Sequence, residues 1–525
     1  MKIVVHRIFF KHRALFLVLC LLFVGLQAAK KPTTIFLEQS ETLSFDKHQK
    51  ADCQVLRGNV IFRHDDAYMY CDSAYFYDQN NTIDAFSNIR MEQGDTLFVY
   101  SDFLHYDGNT RIANLKGNVQ MVNRETILET DSFDYDRNQN KGYYYTGGKI
   151  YDGKNTMTSI WGEYSPDTKL AVFRDKVRLI NEEFALASNN LHYNTASKTA
   201  TIVGPSVILY KEKTTIYSEK GSYDTANEQA TLYNRSYIEQ NDGKRLTADT
   251  IFYNRSIGEG TAWGNTELLD TAQHIVVYGN NAFYRELDSY GLVYNSAYAV
   301  EYSTANDSLF LHADTLRTYA DSVYQVLKAV SNVRFYRSDL QGKCDTLVYS
   351  TRDSVLNMYE SPVLWSDSAQ LAGDFIQVFQ QANDSNMVFV QGLALAITQH
   401  DSLRFNQLSG KTLKAYIANR KLHEILVEGN AESIYYPIED DGSIVGINRT
   451  ESSVLEVFLN NRKINKIVMS PASSGTLYPE EQMPKEKKQL THFAWYETIR
   501  PKNKADIFTR YPLSTKIKSR RRTQK

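Results

Sequence analysis

Little in this sequence marks an enzyme site or a cross-linked scaffold. Its 525 residues include only four cysteines, ten prolines and four tryptophans. Cys20 sits in an amino-terminal apolar stretch after Leu17-Val18-Leu19, which lacks the small residue that lipoprotein processing wants. Cys53, Cys71 and Cys344 are too widely separated for a zinc pattern or a disulfide framework. Cys53 and Cys71 can pair if adjacent strands bring them together, but buried, unpaired thiols are the expectation. Also absent are a Gly-rich phosphate loop, a His-rich metal spacing and a nucleophile elbow. No metal or other cofactor is therefore expected, and the chain is not expected to be an enzyme. An excess of positive charge is missing as well: 59 Lys and Arg stand against 61 Asp and Glu, a formal charge of −2. A general nucleic-acid binder needs a basic surface to neutralise phosphates, so nucleic acid is not an expected partner.

Long apolar runs are confined to one place. Lys2, Arg7, Lys11 and Arg13 precede the stretch Ala14 to Leu26, and Ala28 and Ala29 follow it. That stretch spans only about 20 Å of helix at ~1.5 Å per residue, well short of a bilayer core. Residues 1–29 therefore read as a cleaved secretory signal. Its removal leaves a body with a formal charge near −6 and no further run long enough to cross a membrane. An exported protein, peripheral to the membrane, is expected.

Aromatic residues are plentiful, with 36 Tyr and 25 Phe, and they are periodic. Tyr77, Tyr106, Tyr135, Tyr164 and Tyr193 follow one another at steps of 29, and Tyr223, Tyr253 and Tyr284 continue at 30, 30 and 31. The series extends through Tyr319, Tyr349, Phe379, Tyr416 and Phe458 at less even steps. A phrase recurs around these aromatics, as in Ser101-Asp102-Phe103-Leu104-His105-Tyr106-Asp107 and Ala248-Asp249-Thr250-Ile251-Phe252-Tyr253-Asn254. The acid, the apolar residue and the Tyr stand two apart, so in a strand all three share one face. Between phrases lie Gly58-Asn59-Val60, Gly117-Asn118-Val119, Gly204-Pro205-Ser206-Val207 and Gly264-Asn265-Thr266, read as tight turns between antiparallel strands. Asp107-Gly108-Asn109, Asn138-Gln139-Asn140 and Asn194-Thr195-Ala196 supply a second turn. Each unit of about 30 residues is thus strand, turn, strand, turn, and it must bury its apolar face against neighbouring units.

The predicted fold is all-β: an elongated antiparallel β-jellyroll, or β-taco solenoid, built from two-strand repeats of about 30 residues. Residues 30–290 form its regular part and 291–470 a less regular continuation, with insertions at turns. Residues 471–525 are expected to be a linker and a basic, disordered tail.

The repeated phrase followed by Gly-Asn-Val resembles the LptA/OstA family of lipopolysaccharide-transport proteins, most clearly over residues 40–290 and more weakly to about 460. The resemblance implies a twisted β-jellyroll in the periplasm or at the outer membrane, with an apolar groove that holds the acyl chains of lipopolysaccharide or a related glycolipid. On that reading Leu104, Phe133, Leu191, Ile251 and Leu347, with Val60, Val119 and Val207, line the groove. The chain is longer than the small periplasmic bridge protein and lacks the membrane barrel of the outer-membrane partner. Asp102, Asp131, Asp249 and Asp345 recur at one repeat position, which argues for a role at strand bends and against paired catalytic acids. His105 and His192 read as ladder rungs. The edges near Phe36 to Phe45 and Val454 to Val468 are expected to join other jellyroll proteins of the Lpt type by strand addition. A surface-displayed adhesive solenoid is the alternative. A carbohydrate-active β-helix is disfavoured, because its units would be nearer 20 residues with fewer hairpins.

Overall fold

A computed structural model describes residues 33–45, 53–302, 308–320, 324–380, 385–418, 421–439, 442–460 and 463–511. The expected signal segment and most of the basic tail lie outside these residues. The chain divides into two compact units, Met1–Leu179 and Ile180–Lys525. About 70% of the structure is strand, all of it antiparallel, with no α-helix among the described residues.

In the first unit, Gln54–His64, Ala67–Tyr77, Thr82–Gln93, Leu97–Asp107, Ile112–Asn123 and Thr126–Asp136 pair in chain order as a meander. Two kinds of hairpin join them. Four-residue loops such as Gly108 to Arg111 close one end, where Asp107 Oδ1 accepts the amides of Asn109 (2.8 Å) and Thr110 (3.3 Å). The expected Asp-Gly-Asn turn is one of these loops. The opposite end is closed by Asp65-Asp66 and by Arg124-Glu125, in which Asp65 and Arg124 have positive φ.

The Gly-Asn pairs are not hairpin turns. They fall in mid-strand, and the register jumps across them between Arg57 and Val60 and between Lys116 and Val119. Gly58, Asn59, Gly117 and Asn118 all have positive φ. Two residues thus oppose one, and such a bulge bends the strand. A neighbouring acid fastens the bend: Asn118 Nδ2 donates to Asp102 (2.7 Å), and Asn88 Nδ2 to Asp72 (2.7 Å). The repeated Asp therefore does serve the bend at Asp102. It does not share a face with Leu104 and Tyr106, because the bend resets the alternation. Ser101, Leu104 and Tyr106 are buried while Asp102 is exposed.

Bending folds the sheet onto itself. The ends of a flat eleven-residue strand lie ~33 Å apart at ~3.3 Å per residue. Yet His64, at one end of the ladder, meets the hydroxyl of Tyr106, near the other end, at 2.6 Å. The inner faces of the two arms pack together, and the tyrosine ruler lies on them. Tyr106, Tyr135 and Tyr164 each sit opposite a small residue, Ala113, Gly142 and Ala171, which leaves room for the ring. At Gly142 a Cβ would run into the Phe133 ring. The first mark of the ruler is displaced by one residue: Phe76, not Tyr77, faces inward.

The second unit repeats this plan in Phe184–Asn194, Thr199–Tyr210, Thr214–Asp224, Gln229–Gln240, Lys244–Asn254, Glu259–Asp270 and Ile275–Arg285. Tyr193, Tyr223, Tyr253 and Tyr284 again face Ala200, Ala230, Gly260 and Gly291. Farther on, inner positions pass to Val378, Ala415 and Val457, so Phe379, Tyr416 and Phe458 point outward. The long step between Phe379 and Tyr416 combines longer strands with a longer turn: Ser385–Gln399 and Phe405–Ala418 have 15 and 14 residues, and residues 400–404 join them where Asp65-Asp66 suffices in the first unit. A second departure concerns residues 474–511, expected as linker and tail. Ser474–Tyr478 is a strand paired with Ile447–Asn460, and the following segment packs against the sheet.

Candidate functional site

Whether the inner faces enclose anything depends on the rims, where the free ends of the two arms approach. In the first unit the rims are locked. Gln93 Oε1 accepts the Tyr135 hydroxyl (3.1 Å), and Asn123 Oδ1 that of Tyr164 (3.2 Å). Arg137 reaches the Tyr106 hydroxyl (2.8 Å) and Asp66 (2.7 Å), and Arg111 pairs with Asp65 (2.9 Å). Burial holds the His64 imidazole below its usual pKa, so it sits neutral between Tyr106 and Thr33. Behind this lock Leu104, Tyr106, Phe133, Tyr135, Tyr144, Tyr164 and Phe173 are fully buried. The interior is filled by its own side chains.

The second unit begins in the same way. Arg255 pairs with Glu183, and the Phe184 and Tyr223 rings meet edge to face at 5.0 Å. Farther along, the rims open. One arm carries a continuous inner row, Ile216, Ile238, Leu246, Leu268 and Val277, each directly opposite the next. All five are half-buried, whereas Leu128 and Met121 on the corresponding row of the first unit are fully buried. The facing arm supplies Tyr223 and Tyr253, half-buried, and Tyr284, 46% exposed. Burial pushes the Tyr223 and Tyr253 hydroxyls up to about 12, so both phenols stay neutral. Beside the bend Ser236 and Thr266 stand where the first unit has Val60 and Val119, and Gly221 and Ala282 where it has Phe133, while Leu232 and Ile251 keep their bulk. These two rows carry no Asp, Glu, Lys or Arg. They form an apolar trough, half-exposed to water, with charges only at its mouth, where Lys244 stands opposite Asp270.

Seven of the eight groove candidates face inward and are buried: Val60, Leu104, Val119, Phe133, Leu191, Ile251 and Leu347. Val207 does not; it is 44% exposed on the outer face. Gly204-Pro205 is a two-against-one bulge of the same length as Gly117-Asn118, so Ser206 takes the inward place of Val119, hydrogen-bonded to Ser188 at 2.8 Å, and Val207 lies one position beyond it. The candidates cluster beside the bend, the most enclosed level of the fold. The half-open rungs, Leu246, Leu268 and Val277 among them, lie a step nearer the rim. For Leu268 the signal in the sequence was the alternation after Gly264-Asn265, which the turn reading hid, and Leu246 and Val277 follow from pairing with it.

Cys53, Cys71 and Cys344 are free and buried, as expected, and burial pushes the Cys71 thiol up to about 12. His105 is an outer rung paired with Asp84 at 2.7 Å.

Bent antiparallel ladders with an apolar interior define the class: an elongated all-β jellyroll. The family described as OstA-like protein matches residues 32–189, so this stretch is OstA-like, in line with the resemblance read from the repeated phrase. That family is one of transport and binding rather than of enzymes. Its members are periplasmic lipopolysaccharide transporters that act with other Lpt proteins. The match ends before the open trough begins. No curated protein matches the chain.

Proposed function

We propose that the chain is a periplasmic lipid-binding protein of lipopolysaccharide transport and outer-membrane assembly, associated with the outer membrane and not catalytic. The open trough of the second unit holds acyl chains. One observation carries this reading: the inner row from Ile216 to Val277 is apolar, uncharged and half-exposed, while the equivalent rungs of the first unit are closed. Apolar burial at roughly 25 cal/mol per Å² is non-directional, so a chain held this way can slide. The neutral phenols of Tyr223, Tyr253 and Tyr284 at the opposite rim suit the boundary between acyl chain and polar headgroup. Exposed apolar edge residues, Phe36 and Leu43 at one end and Ile464 and Ile467 at the other, support strand addition by other jellyroll proteins of the Lpt type.

Photo-crosslinking in cells from positions 246, 268 and 277, with mass analysis of the adduct, tests the proposal. Lipopolysaccharide or a related glycolipid is expected at these positions and not at 104 or 133. Lipid-free adducts from all three trough positions would overturn it.

A further inference from the structure

The segment from Pro479 to Tyr511 crosses the outer face of one arm of the second unit. None of its residues joins a strand. On the face beneath, one row runs across six neighbouring strands as Gln341, Trp365, Gln370, Ile397, Gln407 and Ile434. Glutamine and apolar residue alternate, and all six are buried. Gln407 and Gln370 grip the backbone of the segment, and Gln341 grips its Arg500 side chain. Gln407 donates to Lys488 O (3.0 Å) and accepts from Leu490 N (2.9 Å). Gln370 donates to Ala494 O (2.7 Å) and accepts from Tyr496 N (2.8 Å). Gln341 accepts two bonds from the Arg500 guanidinium, at 2.9 and 2.6 Å.

These grips recur every six residues along the segment and every second strand along the face. Between them the segment folds into tight turns with the same period, Lys487 N to Pro484 O, Phe493 N to Leu490 O and Ile499 N to Tyr496 O. Two strands advance ~9.6 Å. Six residues with one turn cover that distance, whereas six extended residues would overshoot it twofold. The segment is therefore built to the spacing of the face. Its apolar side chains seat in two clusters, Met483 and Leu490 with Ile434, Tyr436 and Ile447, and Ile499 with Val363, Trp365 and Ala372.

We propose that this face is a peptide-docking site, occupied here by the chain's own strap and able to take the same segment from a second copy. Every grip is made by a side chain of the face, not by a ladder partner. The strap can therefore leave without breaking a strand pair, and the glutamines would then be hydrated. A polar-apolar alternation suits a surface that is covered at some times and bare at others. While the strap is seated, the glutamines satisfy backbone groups that have no ladder partner, and water can take over on both sides when it leaves.

A site-specific protease sequence inserted between Tyr478 and Pro479 of the full chain tests this. The nicked protein is mixed with excess fluorescent synthetic peptide 479–511 and gel-filtered. Label is expected to elute with the body and to be displaced by unlabelled peptide. Gln370→Leu with Gln407→Leu is expected to reduce capture at least tenfold. In case that variant misfolds, a peptide N-methylated at Leu490 and Tyr496 removes the two bonds that Gln407 and Gln370 accept and should lose at least tenfold against the unmutated body. Failure of label to enter a nicked body that keeps its circular dichroism would overturn the proposal. Equal binding of the N-methylated peptide would overturn it too.

Discussion

Leu268→Asp puts a carboxylate on the inner row of the trough, between Leu246 and Val277. Leu268 is half-buried, so the charge can stay hydrated and the ladder can stay folded. An acyl chain lying along the row passes one strand every ~4.8 Å. Hydrating one rung returns about three methylenes to water, worth ~2.4 kcal/mol at ~0.8 kcal/mol each. That is about a 50-fold loss of affinity at 1.4 kcal/mol per decade. Leu269→Asp is the internal control, since Leu269 is the next residue, is also half-buried, and points to the outer face. The measurement is displacement of a fluorescent acyl probe by lipopolysaccharide, with circular dichroism as the check on folding. If Leu268→Asp binds within twofold of the parent, or if Leu269→Asp weakens binding as much, the trough is not the binding surface.

Two further predictions concern other parts of the chain. His64 is held neutral in the fold, with its pKa below the ordinary 6.5, among Tyr106, Thr33, Asp65, Arg111 and Arg137. The unfolded state therefore binds the proton more readily. The stability His64 lends is complete above pH 6.5 and falls by up to ~1.4 kcal/mol per unit as pH drops below that, until the folded pKa is reached. Hydrogen exchange of Gln54–His64, corrected for its intrinsic rate, should rise between pH 7.5 and 5.5 and lose part of that rise in His64→Asn; an unchanged slope in the variant would exclude the histidine as the cause. Deleting the edge strand Lys463–Ser470 should weaken crosslinking to jellyroll partners at that end while leaving the opposite edge unaffected, and full crosslinking after the deletion would remove the strand-addition account.

Several features were legible in the residues because they depend on neighbours in sequence. An alternation of period two indicates a strand, and Asp107 with Asn109 two positions on indicates a loop. The acid of the repeated phrase was rightly placed at a bend, since Asn118 lies in the next strand of the same unit. The ruler was right for Tyr106, Tyr135 and Tyr164 but displaced at Tyr77 and at Phe379, because a period fixes spacing and not which face a side chain takes. The Gly-Asn pairs show the same ambiguity. Positive φ at two consecutive residues serves a hairpin or a mid-strand bulge equally well, and only the register across Arg57 and Val60 distinguishes them.

Composition and periodicity, then, were enough to establish an all-β ladder of paired strands, because local backbone geometry writes them into every 30 residues. Folding alone settled which stretch is sealed and which is open. His64 and Tyr106 are 42 residues apart, and Gln370 and Ala494 are 124 apart. No local rule couples such positions. His64 and Tyr106 meet because each strand bends, which turns a flat repeat into two arms with an inside, an outside and a rim, and Gln370 meets Ala494 because the segment after the last strand lies back across the outer face.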